Sequence, residues 1–382
     1  MMMKIGMFFL CFLAIANNTF AQEQEDPPLF LEDKPYIIPL WHRVADFSPS
    51  LRAVESAEIS PNGQYVLSGS KFGGRLMLWR AADGYLIWEK HIEAEVEAVT
   101  FSPDGKLVAA GDEYFNVNIF NVESGELVRQ LKHNVAFDGI AWSPDGQWVA
   151  GGSEGGEVVL WNSKNWKNEK ILKAGNTVNS LQFSEDMQYL IAAGNKMNDN
   201  PTHDWDRHGF VKAWNLNKNW EVIFEINAQE KSSKSVRFSP DMKEFAVAGF
   251  ANQVKIFSFP EAEEKHVINI PSKVEAVAYH PEGNFLMIGS HESKMRIFKT
   301  SIYSQVDELP MVRLEYIHFS KDGRLMATAH EDSGLLSLYM VVSDVQTKEQ
   351  YHRLSNQILK NKDKFQLNSV FYLTYSFQNQ RH

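Results

Sequence analysis

The fold is decided by residues 96–120, which read VEAVTFSPDGKLVAAGDEYFNVNIF. An alternating apolar run ends at Phe101, the tetrapeptide Ser102-Pro103-Asp104-Gly105 follows, and a second apolar run begins after Lys106. Proline followed by Asp and Gly favours a tight turn, so the two runs and the turn predict a β-hairpin. A third run ends in the aromatic Phe120 and predicts a third strand.

This unit recurs seven times along the chain. Its turn motifs begin at Ser60, Ser102, Ser143, Ser184, Ser239, His280 and Ser320. The spacings between these positions are 42, 41, 41, 55, 41 and 40 residues. The aromatics that end the third runs are Trp79, Phe120, Trp161, Trp214, Phe257, Phe298 and Tyr339. A fourth run follows each third run, and four short antiparallel strands per repeat predict the blade of a β-propeller.

The repeat resembles the WD40 type, in seven copies over residues 53–343. The resemblance implies an all-β, seven-bladed propeller in which blades pack face to face and the recurring aromatic fills space between them. The Asp of the family's Trp-Asp signature is replaced in every repeat, by Arg80, Asn121, Asn162, Asn215, Ser258, Lys299 and Met340. We therefore expect apolar packing, rather than the family's buried polar network, to hold the blades together.

The ring needs a fourth strand for its seventh blade, because an open sheet edge invites mispairing. Residues 22–52 form an N-terminal segment whose stretch 35–41 is the favoured closing strand. The alternating stretch 371–377, in the C-terminal extension 344–382, is the rival. That extension also carries a modest helical stripe over residues 345–362.

The first 21 residues have the layout of a secretory signal peptide. One Lys precedes an uncharged run over residues 5–16, and polar residues lead to small-residue positions ending at Ala21. We expect cleavage near Ala21, a periplasmic or secreted location, and no transmembrane segment in the mature chain. The WD40 resemblance combined with export implies a bacterial envelope or secreted protein.

Composition excludes several classes. The formal net charge of −10 disfavours a nucleic-acid binder, which needs clustered Lys and Arg. One Cys, at position 11, rules out a disulfide scaffold and a Cys-ligated zinc domain. We expect a monomer and no obligatory cofactor.

The 55-residue spacing places an insertion between the second and third strands of blade four, residues 195–209. The resemblance implies that this loop opens on the face usually engaged by partners. Three hypotheses compete for the loop: a calcium or zinc site, a partner anchor, and a loop folded over its own blade. Asp204, Asp206 and His208 are the candidate calcium ligands, and His203 and His208 together with the two carboxylates could hold zinc. Trp205 would be an exposed anchor for a partner, rimmed by Asp204, Asp206 and Arg207. His203 and His208 are further predicted partner contacts in this loop.

Other candidates are spread over the same face. Tyr114 and Phe115 are expected in a loop and are predicted partner contacts, and His291 and His330 are predicted in equivalent loops of blades six and seven. Ser153 lies in a G-x-S-x-G string but is predicted in a hairpin, which cannot form a nucleophile elbow.

These observations favour a non-catalytic protein-interaction platform with an unidentified protein partner. One alternative is a propeller enzyme or ligand sensor, since some exported propellers hydrolyse lactones or oxidise small molecules around a central metal. Such a site needs a ring of carboxylates or His at equivalent starts of the first strands, and the sequence is interpreted as lacking that ring. A glycan-binding propeller that uses exposed aromatics is the third hypothesis.

Overall fold

The computed structural model describes residues 34–46, 48, 52–196 and 208–343. The described residues form 28 strands in seven four-stranded sheets and one 3₁₀ turn at Leu216–Lys218. Within these ranges no helix has the length and apolar character needed to cross a bilayer.

Each sheet is one blade, and its strands are hydrogen-bonded in order from the axis outwards. The innermost strands are β2 (Val54–Ile59), β6 (Val96–Phe101), β10 (Phe137–Trp142), β14 (Thr177–Phe183), β18 (Ser233–Phe238), β22 (Val274–Tyr279) and β26 (Leu314–Phe319). The second strands are β3 (Tyr65–Ser70), β7 (Leu107–Asp112), β11 (Trp148–Ser153), β15 (Tyr189–Asn195), β19 (Glu244–Gly249), β23 (Phe285–Ser290) and β27 (Leu325–His330). The third strands are β4 (Arg75–Arg80), β8 (Asn116–Asn121), β12 (Glu157–Asn162), β16 (Gly209–Asn215), β20 (Gln253–Ser258), β24 (Lys294–Lys299) and β28 (Leu335–Val342). The outer strands are β5 (Tyr85–His91), β9 (Leu127–Lys132), β13 (Asn168–Lys173), β17 (Glu221–Gln229), β21 (Glu264–Asn269), β25 (Ser304–Pro310) and β1 (Tyr36–Val44).

The seven blades form a closed ring. Innermost strands contact one another in a circuit that runs from β2 through β6, β10, β14, β18 and β22 to β26 and returns to β2. The seam is made by β1, which pairs antiparallel with β28 from Tyr36 opposite Val342 to Val44 opposite Leu335. The closing strand therefore comes from the N-terminal segment, which is the favoured alternative, and the pairing covers the edge of β28. The rival stretch 371–377 and the signal-peptide residues 1–21 lie outside the described residues.

The repeated turn explains why each hairpin forms. Ser102 Oγ donates to Asp104 Oδ1 at 2.7 Å and accepts from the backbone N–H of Leu107 at 2.9 Å. The fourth turn residue has a positive φ, +68° at Gly105, and Met187 and Met242 occupy that conformation in blades four and five. In blade six His280 replaces the serine, and its Nδ1 accepts from the backbone N–H of Glu282 at 3.3 Å.

The predicted aromatics all lie in the core. The exposed fractions of Trp79, Phe120, Trp161, Trp214, Phe257, Phe298 and Tyr339 are between 2 % and 7 %. Buried apolar clusters join neighbouring blades, such as the cluster of Val254 and Phe298 between blades five and six. A polar contact also survives in blade one, where Trp79 Nε1 donates to Ser68 Oγ at 3.0 Å.

Candidate functional site

A ring of polar side chains surrounds the mouth of the axial channel. Every innermost strand contributes one residue, five positions before the first residue of its turn motif. The ring consists of Glu55, Glu97, Asp138, Asn179, Lys234, Glu275 and Glu315. Five of these seven residues are carboxylates, so the interpretation that the first strands carry no such ring is wrong.

A β-bulge in each innermost strand explains both the ring and the failure to predict it. The pairing with the second strand shifts register at the ring residue in all seven blades, as between Val96 and Ala98 on either side of Glu97. A bulged residue leaves the ladder, and its side chain is re-aimed. The two-residue alternation of the strand is interrupted at the bulge. A prediction based on that alternation therefore assigns the ring residue to the wrong face of the sheet.

A second ring, here called the rim, lies just above the first. It is formed by the residue that follows each second strand: Lys71, Glu113, Glu154, Lys196, Phe250, His291 and Glu331. In six blades the backbone N–H of the rim residue donates to the loop that enters the innermost strand, as Glu113 does to the carbonyl of Glu95 at 3.2 Å. Ion pairs then join the rim to the ring, since Lys71 lies 3.5 Å from Glu55 of its own blade and 3.4 Å from Glu97 of the next.

The two sides of the channel mouth differ in how far their carboxylates are paired with positively charged side chains. On the side of blades six and seven, His291 Nε2 lies 2.7 Å from Glu275 Oε1 and 2.8 Å from an Arg313 guanidinium nitrogen. Arg313 also forms an ion pair with Glu331. Burial opposes ionisation of Glu275, but the hydrogen bond from His291 and the charges of Lys234 and Arg313 hold its pKa below the usual value.

On the side of blades one to three, carboxylates outnumber cations. Burial and the charge of Glu97 raise the pKa of Glu55 to about 7, although Lys71 lies 3.5 Å from its carboxylate. The pKa of Glu113 is also raised to about 7, by burial and by the charges of Glu97, Glu154 and Glu95. The raised pKa values leave Glu55 and Glu113 only partly ionised at pH 7, but the excess of carboxylates over cations still gives this part of the mouth a negative potential.

Arg237 bridges the channel below the ring. Its guanidinium donates to Ser180 Oγ at 2.9 Å in blade four and to the Tyr316 hydroxyl at 3.0 Å in blade seven. One side chain of blade five thus links three blades across the axis. The cavity above it has a volume of about 250 Å³.

Tyr114 and Phe115 lie at the tip of the hairpin between β7 and β8, beside the rim residue Glu113. Their exposed fractions are 62 % and 45 %, and Phe72 in the equivalent loop of blade one is 40 % exposed. Phe72 and Tyr114 line one open depression on this face. The predicted loop placement is confirmed, while contact with a partner stays a prediction.

Phe115 occupies an unfavourable backbone conformation. Its φ is +69°, and its carbonyl accepts the backbone N–H of His133 at 2.9 Å. The residues with the same role in blades one, three, five, six and seven are Gly74, Gly156, Asn252, Ser293 and Gly334. A left-handed conformation costs a residue with a Cβ roughly 1–2 kcal/mol, and only small or short polar residues adopt it readily. Trp166, Trp220 and Tyr303 also have a positive φ but pack against the core, whereas Phe115 is 45 % exposed.

The two predicted histidines are not equivalent. His291 is a rim residue, whereas His330 is the last residue of β27 and is 2 % exposed. His330 lies 2.8 Å from the Thr328 hydroxyl and 2.9 Å from the Val312 carbonyl, and burial lowers its pKa to about 4. The rim position of blade seven belongs to Glu331, so the placement of His330 in an open loop is wrong.

The insertion in blade four lies between β15 and β16, as predicted. His208 is exposed immediately before β16. His203, Asp204, Trp205, Asp206 and Arg207 lie outside the described residues, so the metal and anchor hypotheses for this loop stay predictions. Ser153 ends β11 in a strand-to-strand hairpin, and its hydroxyl accepts the backbone N–H of Glu157 at 3.2 Å.

Known families match part of the chain. The WD40 domain of anaphase-promoting complex subunit 4 matches residues 71–137, and the WD domain, G-beta repeat, matches residues 125–162. The chain is also 25 % identical over 91 residues to a Periodic tryptophan protein 2 homolog of Dictyostelium discoideum. That similarity covers 24 % of this chain and 10 % of the relative. The blade geometry therefore identifies the chain as a seven-bladed β-propeller, and its stretch from residue 71 to residue 162 is similar to WD40 repeats.

Proposed function

We propose that this chain is an exported, non-catalytic platform that binds a protein through the face carrying the channel mouth. WD40 propellers are typically protein-interaction scaffolds, which supports the general class. The observation that carries the choice of face is the exposed pair Tyr114 and Phe115, with Phe115 in a left-handed conformation. Exposed aromatics on a rigid scaffold are favourable interface anchors, because little conformational freedom is lost on binding.

The acidic residues at the channel mouth indicate which charge the partner's binding surface should carry. Glu95, Glu97 and Glu113 lie beside the two aromatics, so the proposed partner presents apolar groups next to basic ones. Charge complementarity of this kind speeds association and excludes acidic partners, including nucleic acid. The blade-four loop, with Trp205, would extend the contact surface on the same face.

The test is a crosslinking pull-down from an extract of the source organism. A Tyr114→Ser, Phe115→Asn double variant is compared with Tyr85→Ser, because Tyr85 has the same 62 % exposure but lies on the outer strand of blade one. We expect the double variant to lose the partner and Tyr85→Ser to retain it. Equal recovery by both variants refutes the chosen face. Trp205→Ala with deletion of residues 199–207 tests the blade-four loop in the same way.

The export part of the proposal rests on residues 1–21 and has its own test. Expression in a bacterial host followed by cell fractionation and mass spectrometry should give a periplasmic or secreted product that begins after Ala21. A product that keeps its first residues and stays in the cytoplasm contradicts export without affecting the proposed binding face.

A second candidate is a propeller enzyme or ligand sensor, and one observation favours it. The hypothesis requires a ring of carboxylates at the first strands, and Glu55, Glu97, Asp138, Glu275 and Glu315 form one. Turnover of a lactone by the metal-supplied full chain, lost in Glu97→Gln, would establish catalysis and displace the platform proposal.

A further inference from the structure

Two histidines contact one serine where the ring closes. His42 lies on β1 opposite Ser337 on β28, and its Nδ1 is 2.7 Å from the Ser337 hydroxyl. His330 ends β27, the strand on the other side of β28, and its Nε2 is 3.3 Å from the same hydroxyl. These contacts join three adjacent strands, and the outermost of them is β1, the strand that closes the ring.

The partners of His330 determine which of its nitrogens carries the proton. The Val312 carbonyl lies 2.9 Å from Nδ1 and can only accept, so Nδ1 is the protonated nitrogen. Nε2 is then an acceptor, and it lies 2.8 Å from the Thr328 hydroxyl. The side chain of His330 is 2 % exposed. The closed ring therefore holds His330 as a buried, neutral imidazole.

A positive charge on His330 would have no counterion. No carboxylate of the described residues forms an ion pair with His42 or His330. Glu331, the next residue in the chain, pairs instead with Arg313 of the loop that enters β26. A buried cation without a partner is costly. Burial accordingly lowers the pKa of His330 to about 4 against the opposing hydrogen bond to Val312, and the charge of His42 adds to the decrease.

The remaining groups of β1 and β28 supply no negative charge either. Arg43, beside His42, donates to the carbonyls of Asp83 and Gly84 in blade one, and burial together with the Arg43 charge lowers the pKa of His42. The phenol of Tyr339 is hydrogen-bonded to Ser337 and Thr328, and burial raises its pKa. Every titratable group around the Ser337 hydroxyl is therefore neutral or positive when the pH falls.

Blade two has the equivalent contacts without histidine. Asn118, on the third strand, donates to Asp112 Oδ2 at 2.7 Å on the second strand. Gln130, on the outer strand, donates to Asn118 Oδ1 at 3.0 Å. The outer strand of blade two also continues into the next blade, whereas β1 is held by its pairing with β28. Blade two is therefore an internal comparison for the behaviour of blade seven in acid.

We propose that His42, Ser337 and His330 form an acid-sensitive contact that releases β1 and opens the ring when the pH falls. Protonation places a charge on the buried ring of His330 and turns Nε2 from an acceptor into a donor that faces the Thr328 and Ser337 hydroxyls. Release of β1 admits water, which stabilises the imidazolium. Because the pKa of His330 lies below its ordinary value of about 6.5, the neutral ring contributes fully to closure above pH ~6.5, and this contribution is lost as the pH falls towards 4.

The test is hydrogen exchange with mass spectrometry on the full chain at pH 7 and pH 5, expressed as protection factors so that the intrinsic effect of pH is removed. The decrease in pKa from about 6.5 to about 4 predicts that opening becomes roughly 20-fold more favourable between these two pH values. We expect β1 and β28 to lose that protection and the outer strands of blade two to keep theirs. His330→Gln cannot acquire the charge, so its protection in β1 should change less than about threefold.

His280→Gln is the matched control. His280 is also a buried histidine, 1 % exposed, but it lies in the turn motif of blade six with its Nε2 3.1 Å from the Gly323 carbonyl. This variant should lose protection in β1 at pH 5 as the wild type does. Circular dichroism at pH 7 shows whether His330→Gln is folded, and His330→Asn replaces it if it is not.

Four outcomes overturn the proposal. These are unchanged protection of β1 in the wild type at pH 5, an equal loss in blade two, an undiminished loss in His330→Gln or its replacement, or no loss in His280→Gln. The contact lies away from Tyr114 and Phe115 and does not rest on partner binding. The pull-down at neutral pH therefore tests the platform proposal separately.

Discussion

Trp41 is predicted to stabilise the contact between blades seven and one, where the ring closes. The variant Trp41→Ala tests this. Trp41 lies on β1, is 6 % exposed, and donates from Nε1 to the Ala81 carbonyl of blade one at 2.8 Å. Its ring rests on Gly84, where an added Cβ would approach it to 2.8 Å. The indole therefore joins blade seven to blade one.

The expected cost follows from these contacts. Truncation of a buried Trp to Ala costs about 3–5 kcal/mol, and loss of the hydrogen bond to Ala81 is part of that sum. Folded domains are stable by about 5–15 kcal/mol, so the variant should fold with a clearly lower denaturation midpoint. The chain offers a matched control in Trp88, whose Nε1 donates to the Val122 carbonyl of the next blade at 2.8 Å.

The two variants should differ in which strands open. β5, which carries Trp88, continues directly into the next blade, whereas β1 is held to the propeller through its pairing with β28. Guanidinium denaturation followed by circular dichroism gives the free energies, and hydrogen exchange with mass spectrometry reports on the strands. We expect lost protection in β1 and β28 for Trp41→Ala but not for Trp88→Ala. A cost below about 1 kcal/mol, or identical exchange in both variants, refutes the reasoning.

Three further changes test the channel and the surface. Burial raises the pKa of Glu58 from 4.5 to about 7, so ionisation penalises the folded state increasingly as pH rises from 4.5 towards 7. The free energy of unfolding of Glu58→Gln should therefore exceed that of the wild type by about 3 kcal/mol at pH 8 and by almost nothing below pH ~4. Urea denaturation at both pH values measures this, and a gain that does not change with pH contradicts it. Arg237→Lys should lower the free energy of unfolding by about 1–3 kcal/mol, because Lys lacks the branched guanidinium that reaches both Ser180 and Tyr316. An unchanged thermal midpoint would show that this bridge does not contribute to stability. The free energy of unfolding of Phe115→Asn should stay within about 1 kcal/mol of the wild-type value, because Asn adopts the left-handed backbone more easily and this offsets the lost burial of the ring. A much larger decrease, measured by chemical denaturation, would show that Phe115 belongs to the core.

Much of the fold could be predicted because each blade is specified locally. The Ser-Asp turn closes through bonds within five residues, and the alternating runs beside it determine the hairpin. The insertion after β15 and the aromatic at each third strand follow from the same spacing. The sequence favours closure by residues 35–41 over closure by residues 371–377, and the pairing of Tyr36 with Val342 confirms this.

The candidate site was only partly predictable. Turn signals in the sequence predict the loop positions of Tyr114, Phe115 and His291, and the structure confirms these positions. His330 was misplaced by one residue, since a strand end and the first loop residue look alike in sequence. The alternating runs do not predict the carboxylate ring, although Glu97 and its equivalents stand five residues before each turn motif. The fixed distance from each turn motif identifies these residues. The alternation of apolar and polar residues along the strand does not, because the bulge interrupts it.

Short-range chemistry therefore specifies the blade, its turn and the number of repeats, because those contacts join residues close along the chain. The approach of Glu113, Asp138 and Glu154 depends on tertiary structure. Their carboxylates meet because the bulge in β10 turns Asp138 towards the axis and because seven blades close at one radius. The alternation pattern of a single repeat shows neither the bulge nor the radius of the closed ring. Together they bring like charges close to one another, which in the unfolded chain would separate by electrostatic repulsion.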